Sequence, residues 1–145
     1  MQTNEILSKV KELAAEAGID SELNVKDRQL TACFGLPEER TQEVFICDSS
    51  SEKDMPAITL HSICLVVDKG PFKGIKKAMA LELLILNETL NFARYGVQEE
   101  DDNYIIVASY DLLLDGLQPK TLAATLECIA LAADTYEAKF GQDVY

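Results

Sequence analysis

The sequence has no tryptophan, one histidine, four prolines and only 13 basic residues against 25 acidic ones. Each shortage excludes something. A formal net charge of −12 repels phosphate backbones and anionic lipid surfaces, so neither nucleic acid nor a membrane is an expected partner. The same charge favours solubility and fast encounter with basic partners. No apolar run is long enough to span a bilayer, and the start, "MQTNEILSKVKEL", lacks the continuous apolar core of a secretory leader. Cys33, Cys47, Cys64 and Cys128 form no C-x-x-C pair. These absences predict a cytoplasmic protein with reduced thiols. Cys33, Cys47 and Cys64 fall in predicted strands and read as small buried hydrophobes.

What is present suffices for a core. A chain of 145 residues, 48% of them hydrophobic, is of single-domain size and buries roughly 68–70% of its unfolded surface; one domain over 1–145 is expected. Residues 3–17 carry Ile6, Val10, Leu13 and Ala17 on one helical stripe, with Gly18 after it. Three predicted strands follow at 29–36, 41–49 and 57–67, with Leu30, Ala32, Phe34 and Leu36 alternating in the first. His61 shares a predicted face with Thr59, Ile63 and Leu65. A helix over about 72–91, two short strands at 92–98 and 104–111, and a helix opened by Pro119 complete the chain. The fold class is α+β, in the order α-β-β-β-α-β-β-α, with helices packed on an antiparallel sheet.

The middle helix departs from its neighbours. Ile75, Met79, Leu83, Leu86 and Leu90 form one face, Ala78, Leu81 and Ile85 widen it, and Leu84 lies almost opposite. At about 100° per residue the apolar arc covers some 200°, more than one sheet requires. Either the sheet and the last helix share this helix, or a second subunit covers Leu81, Leu84 and Ile85 at a two-fold interface. Glu82 interrupts the arc, as a water-exposed edge or as a partner for a lysine across the interface.

No pattern for chemistry stands out. "GVQEEDDNYIIVASYD" (96–111) puts four carboxylates in a row, but it lacks the central glycine and alternating ligands of a calcium loop. It reads as a polar turn between strands. Asp111 and Asp115 lack the surroundings of a glycosidase pair. His61 has no local signature that would join it to a cysteine nucleophile. "KGPFKGIKK" (69–77) is the one basic cluster; it lacks the Lys-Ser/Thr of a phosphate loop, and its lysines oppose the helix dipole. It reads as a solvated turn or as a docking point for an acidic partner. No catalytic, metal or cofactor residue is assigned.

"LLILNETLNFARYGVQEEDDNYIIVASYD" followed by "GLQPKTL" and Ala132-Ala133-Asp134 resembles the C-terminal half of the type III secretion chaperone-like superfamily. That group includes secretion chaperones of the CesT (Tir chaperone) type and the YbjN-like proteins, and its element order matches along the whole chain. The resemblance implies a homodimer built through the middle helix and nearby strands, and for the secretion chaperones a non-enzymatic role. For the chaperones it also implies an extended client segment set into grooves over the first helix and first three strands. Mapped onto this sequence, those grooves would use Leu7, Phe34, Leu36, Val44, Ile46 and Leu60. For the YbjN-like branch it implies a regulatory, protein-binding role. The expected function is a protein-binding module of this group, with a small-molecule-binding sensor domain as the alternative.

Overall fold

Alternating apolar residues in the first half build a meander, and a hairpin from the second half extends it. The computed structural model describes residues 2–51 and 54–140. Its elements are α1 (Thr3–Glu16), β1 (Glu22–Asn24), β2 (Gln29–Leu36), β3 (Arg40–Asp48), β4 (Ala57–Asp68), α2 (Lys77–Asn87), β5 (Arg94–Glu99), β6 (Asn103–Leu113) and α3 (Pro119–Phe140). The strands form one antiparallel sheet in the order β1-β2-β3-β4-β6-β5. The α+β class and the expected order hold, with β1 as an added strand. Three residues are too few for alternation to show. A turn sets β1 against β2, in which the Asp27 N–H donates to Asn24 Oδ1 at 3.0 Å.

The register places Leu30, Ile46, Leu60 and Tyr110 opposite one another across four strands, so they share a face. α1 covers this face with Ile6, Leu7, Val10 and Ala14, and α3 covers it with Leu122, Leu126 and Ile129; together they form the core. The Thr3 hydroxyl donates to Asp48 Oδ2 at 2.8 Å and ties the start of α1 to the end of β3. The opposite face carries Phe45, His61, Ile63 and Val66, and no helix packs on it among the described residues.

β4 changes phase along its length. Ile63 pairs with Val107 and Leu65 with Ile106, leaving Cys64 as the extra residue of a bulge. Before the bulge Ile58, Leu60 and Ser62 point to the helices; after it Leu65 and Val67 do, while Val66 is turned away and exposed. Leu65 therefore does not share the face of His61, as unbroken alternation would have it. β3 pairs with β4 only over residues 45–48. Beyond His61, β4 is paired on one side only, by β6.

α2 is shorter than the expected 72–91. Left-handed backbone at Phe72 (φ 63) and Gly74 (φ 105) keeps the chain out of helix until Lys77. At the other end, Asn87 turns its side chain to the sheet: its Nδ2 donates to the Tyr95 carbonyl at 3.1 Å and its Oδ1 accepts the Tyr95 N–H at 2.7 Å.

Candidate functional site

α2 sits beside the C-terminal end of α3, over the β5 edge of the sheet. Leu83 is its one buried residue; Ile75, Met79, Leu86 and Leu90 pack partly against the core around it. Tyr95 anchors this corner, its hydroxyl donating to the Ala132 carbonyl at 2.7 Å. The rest of the apolar arc faces outward, with Leu81 55%, Leu84 66% and Ile85 59% exposed. α3 does not cover them. Glu82 is paired within the chain, accepting from Lys139 Nζ at 2.9 Å.

The residues mapped from the resemblance as a partner groove fare differently. Leu7, Val44, Ile46 and Leu60 have no exposed surface and belong to the core beneath α1 and α3, so none of the four can hold a partner while the fold stays closed. Phe34 and Leu36, at the end of β2, are half-buried and keep some surface.

The residues considered for chemistry are dispersed. His61 lies on the open sheet face, its ring 5.4 Å from that of Phe45. Burial lowers its pKa, so it is neutral at pH 7. Asp111 lies on the same face but accepts the Thr59 hydroxyl at 2.6 Å. No hydrogen bond among the described residues joins His61 to Asp111 or to a cysteine. Cys64 is buried on the other face, where desolvation pushes its thiol up to about 12, leaving it protonated and unreactive. Cys33, expected inside, is exposed, because its position in β2 points to the open face. The described residues hold no group of three or more metal-ligating side chains. The acidic run is the β5–β6 turn, closed by the Glu100 N–H donating to the Asn103 carbonyl at 2.8 Å.

The basic cluster is divided. Lys69 pairs with Glu99 at 3.2 Å and lies over the Tyr104 ring. Lys73 and Lys76 instead line a groove of about 790 Å³ between the end of β4, the first half of α2 and Phe140. Alternation could not reveal this groove, because it exists only where β3 and β4 part.

An antiparallel sheet with one helix left partly bare is consistent with the secretion-chaperone-like group that the sequence resembles. Within that group the chain is a YbjN-family protein: residues 61–142, more than half of its length, match the family described as "Putative bacterial sensory transduction regulator", and the chain belongs to it. Of the two branches that the resemblance left open, the match is to this one. No curated protein matches the chain. No helix of the described residues is long and apolar enough to cross a membrane.

Proposed function

We propose that this protein is a regulatory, protein-binding module without catalysis, and that it works as a homodimer joined through α2. The observation that carries the reading is the outward row of Leu81, Leu84 and Ile85, each more than half exposed on a helix whose inner side is already packed. Burying the remaining surface of such side chains contributes roughly 1–2 kcal/mol each. A two-fold axis doubles the three to six, giving about 6–12 kcal/mol before an association cost of about 4–15 kcal/mol, so the row supplies the apolar centre of a dimer contact and not its whole affinity. Isologous packing suits the row, since the same residues meet themselves across the axis. Membership of a family of regulators supports a binding role over catalysis.

Leu81→Glu and Ile85→Glu each place a charge in that contact. Both variants should sediment as monomers with unchanged helical circular dichroism, while the parent sediments as a dimer. A parent that is monomeric at micromolar concentration, or variants that stay dimeric, would show the interface to be misplaced.

A further inference from the structure

The groove beside α2 is lined by four consecutive residues of β4, Leu65, Val66, Val67 and Asp68. Successive strand side chains point to opposite faces, so a hollow touching all four runs along the strand's edge and not over one face. β6 occupies the other edge of β4 at these residues. The exposed edge is the one that β3 leaves when its pairing stops at Phe45. Such an edge presents main-chain donors and acceptors that an added strand can use.

The walls of the groove specify what kind of strand. Leu65, Val67, Met79 and Phe140 all belong to or pack against the core and offer an apolar floor. Lys73 and Lys76 stand on the rim, and neither forms an ion pair among the described residues. Glu82 is bridged to Lys139. Asp68 lies on the far sheet face, opposite Asn103; the Asn103 amide, oriented as its neighbours require, donates to Asp68 Oδ1 at 2.9 Å. The local balance is therefore basic on a chain of net charge −12. The stability of α2 does not explain these lysines, because Lys76 and Lys77 stand at its N-terminus, where a cation opposes the dipole at a cost of about 0.3–1 kcal/mol. Phe72, next to Lys73, is held wholly exposed in left-handed backbone.

We propose that this groove takes an extended segment of a partner protein that alternates apolar residues and ends in carboxylates. Its main chain adds to the free edge of β4, its apolar side chains lie on Leu65, Val67, Met79 and Phe140, and its carboxylates meet Lys73, Lys76 and the unpaired N–H groups of the first turn of α2. This inference rests on the reading of the protein as a protein-binding module, but it is independent of the dimer.

The test is selection from a displayed library of random linear peptides against the full-length protein, with binding measured by fluorescence anisotropy of the enriched sequences. Acidic sequences with alternating apolar residues should be enriched. The double variant Lys73→Glu, Lys76→Glu should weaken them at least about tenfold while leaving sedimentation and circular dichroism unchanged. N-methylation of alternate peptide amides should abolish binding in one phase and spare it in the other, as strand addition requires. Enriched peptides indifferent to the lysine reversal, or to N-methylation in both phases, would overturn the groove and leave the protein-binding reading standing. No enrichment at all would overturn both. A lysine reversal that dissociates the dimer would assign the groove to a second copy of the chain. Acidic peptides that bind only after removal of residues 141–145 would assign it to the chain's own end.

Discussion

α2 and α3 meet near the end of α3, where Lys139 pairs with Glu82, and both are rich in alanine and leucine, yet they relate to the fold in opposite ways. α3 spans 22 residues and buries nine of them, from Leu122 to Tyr136. It crosses the sheet and even takes a carboxylate inside, Asp134, which accepts from Arg40 Nη2 at 2.9 Å. α2 spans 11 residues, of which eight are alanine, methionine, leucine or isoleucine, and buries one. The more apolar helix is the less buried. Apolar content alone therefore does not say which helix holds a domain together; the number of surfaces available to cover it does.

The comparison can be broken or sharpened by substitution. Leu126→Ala, in the fully buried stripe of α3, should cost about 2–5 kcal/mol in urea unfolding, from lost transfer energy and the cavity left behind. A loss under about 1 kcal/mol would mean that α3 is not the pillar described. Asn87→Ala should cost less, about 1–2 kcal/mol: it removes both bonds to the Tyr95 backbone and should raise amide exchange in β5 first. Uniform exchange across the sheet would show that Asn87 does not clamp this corner.

A smaller effect is expected from acid. His61 has its pKa lowered by burial from an ordinary 6.5, so the unfolded chain takes up a proton first. Its neutral form contributes stability that is present above about pH 6.5 and is lost as pH falls through the lowered folded value. His61→Phe should flatten the stability profile over that window alone. An unchanged slope there would assign the acid sensitivity to the carboxylates. The smallest effect should come from Leu84→Ala on α2. At concentrations low enough for monomer, it should change stability by under about 0.5 kcal/mol, with a larger loss appearing only as concentration rises. A large, concentration-independent loss would mean that Leu84 packs within its own chain.

Much of this was legible in the sequence, for physical reasons. Periods of 3.6 and 2 reveal α3 and the long strands because each buries one continuous stripe. The apolar breadth of α2 marks Leu81, Leu84 and Ile85 as side chains its own chain leaves exposed, because more surface is apolar than one neighbour can cover. What was not legible depends on neighbours distant in sequence. Alternation groups Leu30 with Ala32, and Val44 with Ile46, but it does not say whether helices or solvent lie over them; the resemblance maps Leu7, Val44, Ile46 and Leu60 to a partner groove, and all four lie in the core. Helical periodicity runs on through Phe72 and Ile75, but Gly70, Pro71 and Gly74 punctuate it, so α2 begins a turn and more late. The acidic run 99–102 is legible as a turn because polar residues fall between two apolar strands, and it joins β5 to β6.

The extra residue in β4 has a further consequence. The strand is written in two reading frames, even-numbered up to Ser62 and odd-numbered from Leu65, with Cys64 as the spacer between them. Deleting that one residue would leave a plain ladder, with Leu65 following Ile63 and still facing the helices; keeping it but drawing it into the ladder would turn the far half of the strand inside out, sending Val66 to the helices and Leu65 and Val67 to solvent. The oily floor beside β4 thus depends on a single inserted position staying outside the ladder, which acts as a hinge of phase and not of motion.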